Sequence, residues 1–573
     1  MNRFLRCCGL ECIWLTLLSI VALSFLAFPL HSQPLPTASE PGRLEDRFNP
    51  TLEPLAQARN FQGLESTTPP EIAAQVKLVL SGVKITNSTV YSNADIREFY
   101  ESLIGKTISL SQVFSIAAQI TAKYGNDGYS ISRVIVPPQE LDPSGALIEL
   151  QAVEGYISEV VWPEEVTQYR NFFSEYSERI KSQRPINVAT LERYLLLAND
   201  LPGLSFQSIM KPSATNPQAS ILQITMKRDL RNTIISFDNH GTDANGPYQA
   251  TIQTTINNPT RKHDQLKLGY VLAAPAQSGN RSELHYMYFD YGRVLNSEGL
   301  RLNFSGNISR GQPGTIALRA LEYKTESLNF SVALSKPFIR TRSKNLTGTV
   351  AFDFKDSKSF NLGVLDNEDR LRILRGELAY DFADDNGGVN QLIATAYVGI
   401  EGLGSTSNGN PNASRIPGKT NFYKFTFEAN RQKPLRNQYA LKMRFFGQWT
   451  GVPLLSSQEC GYGGQRFGRA YDPSTIVGDR CLLATVELTK IIKPLWGLKS
   501  LQVYGTADYG YIHNISAPLG TPNSDDASSL SMGLRFGKGN WSADFAVSAP
   551  LLHPKSISDT NDLSAFFKLN WQF

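Results

Sequence analysis

Residues 345–354 read NLTGTVAFDF. In an extended chain successive side chains point to opposite sides. Leu346, Gly348, Val350, Phe352 and Phe354 then share one face, and Asn345, Thr347, Thr349, Ala351 and Asp353 the other. The pattern recurs on both sides of this stretch. LNFSVALSKPF (328–338) sets Leu328, Phe330, Val332 and Leu334 against Asn329, Ser331, Ala333 and Ser335. YALKMRFFGQW (439–449) sets Tyr439, Leu441, Met443, Phe445 and Trp449 against Lys442, Arg444 and Gln448. A soluble sandwich also alternates, so the second face decides. Here it is small and polar, sometimes charged, in strand after strand. A soluble β domain of ~345 residues would break into smaller units. A membrane barrel accounts for the pattern, with apolar side chains outward to lipid and polar ones inward to a wet lumen. Closure also removes the sheet edges that lipid forbids. At ~21 residues per strand and connection, residues 230–573 predict about 16 antiparallel strands.

Upstream the texture differs. Between 73 and 229 strand-like and helix-like patterns alternate twice. VKLVLSGVKI (76–85) reads as a strand, followed by helical spacing in NADIREFYESLIG (93–105), with Asn93 a candidate N-cap, and in LSQVFSIAAQITAKYG (110–125). SISRVIVPP and ALIELQAVEG are strands. YISEVVW, VTQYRNFFSEYSERI, VATLERYLLLAND, LSFQSIMKP and SILQITMKR then repeat the order loosely. Two α/β units are predicted, 73–154 and 155–229, each of ~75–80 residues and able to fold alone. The fold class is thus α+β domains followed by a transmembrane antiparallel β-barrel.

Residues 33–72 are rich in Pro, Ser, Thr and Glu and read as a linker without a core. Whether EPGRLEDRF (40–48) forms a helix that plugs the pore is left open by so short a pattern. At the start, Arg3 and Arg6 precede the apolar run Ile13–Phe28, which is shorter than the ~20 residues of a spanning helix. Residues 1–32 therefore read as a signal peptide, with Ser32 a plausible cleavage position. Cys7, Cys8 and Cys12 would leave with it, and Cys460 and Cys481 form an even pair in an oxidising compartment. Spacing alone leaves their bridging open.

Other chemistries find little support. The net charge of +4 is dispersed, which argues against nucleic acid. His31, His240, His263, His285, His513 and His553 are scattered without metal-ligand spacing. PGKT (417–420) has Ala413 where a phosphate-binding loop needs Gly. Asp384 and Asp385 precede Asn386-Gly387 and read as turn residues. No enzyme, cofactor or metal is expected.

One segment breaks the alternation: GGQRFGRAYDPSTIVGD (463–479). In LQVYGTADYGYI (501–512) alternation sends Gln502, Tyr504, Thr506 and Asp508 to the lumen. A luminal Asp508 would favour a cation, and Arg469 would supply one if its loop folded inward. On residue types alone a solvated external loop competes with this reading.

The parts together resemble the two-partner secretion transporters (TpsB type), the haemolysin secretion/activation proteins of Gram-negative outer membranes. GNDGYSISRVIVPPQEL with GALIELQAVEGYI resembles that family's first polypeptide-transport-associated (POTRA) domain, and LERYLLLANDLPGLSFQSIMKPS its second. SFDNHGTDANGPYQA resembles the start of its barrel. The loop resembles the family's inward-folded sixth extracellular loop, within 460–481 here. Arg469 matches the motif arginine and Tyr471 its aromatic, while Ala470 stands where Gly is usual. GTADYG resembles the wall motif whose aspartate, here Asp508, receives that arginine. Phe567, Leu569, Trp571 and Phe573 on the last strand, LSAFFKLNWQF, resemble the signal read by the barrel assembly machinery. The resemblance implies an outer-membrane pore with periplasmic POTRA domains, surrounded by outer-membrane lipid. It would capture the N-terminal secretion domain of a secreted exoprotein and export it unfolded. A monomer is expected. A barrel insertase of the same superfamily, or a passive porin with periplasmic domains, is the alternative.

Overall fold

A computed structural model describes residues 40–48, 54–56, 71–275, 282–494, 497–517, 522–555 and 563–573. The expected signal peptide and most of the linker lie outside these residues. Within the linker, Pro41–Arg43 forms a 3₁₀ turn that continues into a short helix, α1 (Leu44–Phe48).

The first α/β unit is built from β1 (Lys77–Thr86), β2 (Thr107–Ser109), α2 (Leu110–Asn126), β3 (Arg133–Ile135) and β4 (Ala146–Val153). The sheet order is β2-β1-β4-β3, with β1 and β4 parallel and the rest antiparallel. A capping box starts α2: Ser109 Oγ accepts from the Gln112 N–H at 3.3 Å, and Gln112 Oε1 accepts from the Ser109 N–H at 2.8 Å. Val113, Ile116, Ala117, Ile120 and Tyr124 then form one buried stripe on the sheet. Against expectation, 93–105 is not an α-helix. It makes two 3₁₀ turns, Arg97–Phe99 and Glu101–Leu103. Asn93 caps neither, because its Oδ1 accepts from the Ile85 N–H of β1 at 2.8 Å.

The second unit has β5 (Tyr156–Val161), α3 (Arg170–Ser182), α4 (Val188–Asn199), β6 (Leu204–Pro212) and β7 (Ala219–Arg228). The order β5-β7-β6 leaves β5 and β6 as edges. Asn187 caps α4, and Ile157, Phe173, Tyr176, Ile180 and Leu197 close the core. This unit is clamped to the barrel rim. Arg340 donates two 2.7 Å bonds to Asp200, Arg193 pairs with Glu298 at 2.9 Å, and Val294 joins the apolar core.

Among the described residues sixteen strands close the barrel, every neighbouring pair antiparallel and each strand beside its predecessor. Closure pairs Lys568–Gln572 with Ile234–Asp238. Phe573 and Thr233 exchange main-chain bonds of 2.8 and 3.2 Å beside it. The stretch 345–354 lies mid-strand, and its faces part as alternation requires: Val350 is 60% exposed and Asp353 7%. Because Arg231–Asp238 follows the second unit directly, turns such as 341–343 and 384–388 lie at the end nearest that unit.

Candidate functional site

The lumen is occupied by the chain itself. Between barrel strands Tyr439–Thr450 and Arg480–Ile491 the backbone folds inward as a two-stranded hairpin, Cys460–Tyr462 with Ile476–Gly478. Cys460 and Cys481 form a disulfide at its base, their Cα atoms 6.4 Å apart. The covalent tie joins the hairpin to the wall strand it adjoins.

Glycine shapes the tip. Gly463, Gly464 and Gly468 all have positive φ, where L side chains are strained. Ala470 does not, so an alanine fits there without backbone strain. Close approach matters as much. The ring of Tyr462, 0% exposed, is sandwiched between Gly468 of the loop and Gly510 of the wall. A Cβ on either glycine would lie 2.6 or 2.2 Å from that ring. Tyr471 donates from its hydroxyl to the carbonyls of Leu552 at 2.7 Å and Ser528 at 3.2 Å. Phe467 is buried near Phe446.

Asp508 faces the lumen and is 3% exposed. Its partners differ from the expected guanidinium pair. It accepts from the main-chain N–H of Arg469 at 3.2 Å, from Ser529 Oγ at 3.2 Å and from Thr485 Oγ1. The Arg469 side chain runs past it. Nη2 reaches Glu487 at 3.4 Å, and Nε donates to the Gln465 carbonyl at 3.2 Å. The correction has a local cause: Asp508 is already surrounded by donors from both neighbouring strands and the loop backbone. Glu487 is held bidentately by Arg535, at 2.6 and 3.0 Å, and still reaches Arg469. Lys442 approaches it at 4.0 Å. Sequence reasoning passed over Glu487. Alternation in LLATVELTK (482–490) would have found it, since Thr485, Glu487 and Thr489 share the luminal face with Asp508.

A second cluster fastens the N-terminal segment in the lumen. Arg43 bonds Glu459 at 2.5 Å, and Arg415 bonds the other Glu459 oxygen at 2.6 Å and Asp479 at 2.9 Å. Asp479 also accepts the N–H groups of Leu454 and Ile515, at 2.7 and 2.8 Å. Leu44 packs on Val271, Ala273, Leu284 and Tyr286 of the wall, the Phe48 ring lies tilted against Tyr286, and Glu45 pairs with Lys355 at 2.8 Å. No local pattern announces this cluster, because Arg43 lies hundreds of residues before Arg415, Glu459 and Asp479. A part of the expected linker is thus packed inside the barrel, against a core that the wall supplies.

Arg469, Ala470, Tyr471 and Asp508 therefore converge, with the cystine at their base. Phe567, Leu569 and Trp571 lie apart from them, on the strand that closes the seam, with Phe573 just beyond its end. Among the described residues no group of His, Cys, Asp or Glu is arranged to hold a metal ion.

Comparison with known proteins places this architecture. A profile of the haemolysin secretion/activation proteins ShlB/FhaC/HecB matches residues 218–536, and one of the ShlB-type POTRA domain matches 78–155. The heme/hemopexin transporter protein HuxB of Haemophilus influenzae (strain 86-028NP) is 22% identical, over 88% of this chain and 89% of HuxB. The outer membrane transporter CdiB of Dickeya dadantii is 20% identical, over 76% of each chain. The solved structure of CdiB from Escherichia coli superposes with a TM-score of 0.71 at 16% identity, covering 91% of this chain and 94% of that one. With the profile spanning more than half of its length, the chain belongs to the ShlB/FhaC/HecB family of haemolysin secretion/activation proteins, transporters of the outer membrane with periplasmic POTRA domains.

Proposed function

We propose that this transporter captures one large exoprotein in the periplasm and threads it, unfolded, through the barrel. The observation that carries the reading is a lumen filled by two segments of the chain's own, the inward hairpin and the N-terminal turn with α1. A 16-stranded wall is wide enough to leave an aqueous channel. Segments seated by ion pairs and hydrogen bonds are ones that an arriving chain can displace.

The units 73–154 and 155–229 act as the two POTRA domains that receive the partner's N-terminal secretion domain. Strand addition is the favoured mode, since an edge strand offers unpaired main-chain groups to an extended segment. The edge strand β6 supports it: residues 207–212 are exposed, with Ile209 and Met210 among them. Folding of the emerging chain outside would draw transport forward without ATP. Arg469, Tyr471 and Asp508 hold the hairpin in its working position. Phe567, Leu569, Trp571 and Phe573 present the assembly signal to the barrel assembly machinery. Transport needs no catalytic group or cofactor, and one chain suffices for the pore.

Deleting the protein should remove one secreted protein from the cell surface while other barrel proteins keep their levels. Envelope-wide loss of barrel proteins would favour the insertase, and lost small-solute uptake with normal secretion the porin. Separately, normal export by both Arg469→Ala and Asp508→Ala would sink the role of the hairpin.

A further inference from the structure

The lipid-facing surface is not uniform. On one side of the barrel it carries a depression of about 1380 Å³ reaching across strands 324–340 to 480–491. Its floor is made of small residues, Gly376 in register with Ala396 and, two positions along the same strand, Ala394. A Cβ on Gly376 would meet nothing within 4 Å, so the floor is open. Phe338 and Val350 rise on one flank, Phe425 and Phe427 on the other, and each is well exposed.

Charge marks one end of this groove. Lys336 lines it on the outward face, opposite Gly348, five residues before the periplasmic turn at 341–343 and beside Leu300 at the end of the adjacent one. Lys344 lies on the neighbouring strand, four residues from Gly348, about 13 Å along an extended chain. Both are exposed, and neither has an acidic partner among the described residues. The neighbouring cations Arg340 and Arg342 are instead paired with Asp200 and Glu192 of the second unit. A lysine on the lipid face is destabilising near mid-bilayer and nearly free of cost at the interface. Its flexible stem lets the ammonium reach the headgroup level. An anionic headgroup at that level would complement both lysines.

We propose that this groove is a binding site for an anionic glycerophospholipid of the periplasmic leaflet. One acyl chain would lie over Gly376, Ala394 and Ala396, with the phosphate between Lys336 and Lys344. The proposal uses the membrane assignment of the family but no feature of the secretion mechanism, so the two fail independently. Arg480 and His513 line the far, outer end of the same groove. Lipid A held there from the outer leaflet is the competing occupant.

The test is lipid retention by the full-length protein, using native mass spectrometry after mixing with phosphatidylglycerol, phosphatidylethanolamine or lipid A. Phosphatidylglycerol should be retained about tenfold over phosphatidylethanolamine. The double variant Lys336→Gln/Lys344→Gln should remove that preference. Gly376→Leu, which fills the floor while keeping both charges, should lower retention of phosphatidylglycerol by a comparable factor. Equal retention of the two phospholipids, indifference to either variant, or retention of lipid A that depends on Arg480 would each overturn the proposal. Heat-modifiable migration of every variant on a gel reports that its barrel has closed.

Discussion

The first POTRA unit and the barrel are folded in opposite senses. In the unit Leu80, Ile120, Ile148 and Leu150 are buried, and Glu154 is the charged side chain buried with them, held by Thr89, Val90 and Tyr124. In the barrel Val350, Leu378 and Phe425 face outward, while Asp479, Asp508 and Ser529 are buried. The chain is the same polymer throughout, and the solvent differs. Water drives apolar side chains together by roughly 1.5–3 kcal/mol for each large one buried. Lipid gives no such drive on the outer face, so the barrel keeps its polar groups inside, where hydrogen bonds and ion pairs act beside the apolar clusters around Tyr462 and Leu44. It follows that the two regions should break in different ways.

The largest effect is expected where a charge pair is the fastening. Glu459→Ala leaves Arg43 buried without its partner, a change worth about 3–5 kcal/mol. The N-terminal segment should leave the lumen more often, seen as longer open times in planar bilayers; an unchanged conductance record would show that apolar packing of Leu44 holds the plug alone. In the first unit, Ile120→Ala should cost about 2–5 kcal/mol through lost burial and a cavity. Limited proteolysis of the full chain should then cut within 77–153 while the barrel stays intact. On the outward face, Val350→Ala should be nearly silent, because lipid fills the space. Val350→Lys should cost up to about 2–4 kcal/mol if the site is near mid-bilayer. Equal sensitivity to both changes, by refolding into vesicles, would break the inside-out comparison.

The smallest effect is expected at the motif departure. Ala470 has no positive φ, so Ala470→Gly should change export and stability little, by less than about 1 kcal/mol. Gly468→Ala should do far more, since its φ is positive and its Cβ would strike Tyr462. Export that improves with Ala470→Gly and tolerates Gly468→Ala would show a loop conformation other than this one.

Much of the barrel was legible because alternation is a local property. A strand facing lipid on one side and water on the other must write both environments into every second residue. The inward Asp508 follows from the same rule, and the family motif placed Arg469 near it. Which atoms meet was not legible. The Arg469 backbone, not its guanidinium, bonds Asp508, because Thr485 and Ser529 come from strands that only the barrel register brings alongside.

The amino-acid order by itself determined the inside-out pattern, the two mixed units ahead of it, and the interruption at 463–479. These depend on residues near one another in the chain. Only the tertiary structure decided that Arg43 meets Glu459 across hundreds of residues and that Glu487 takes the arginine. It also decided that a bare Gly510 leaves room for Tyr462. The physical reason is that a lumen is assembled from many strands at once, so its contacts belong to the closed barrel and to no single segment.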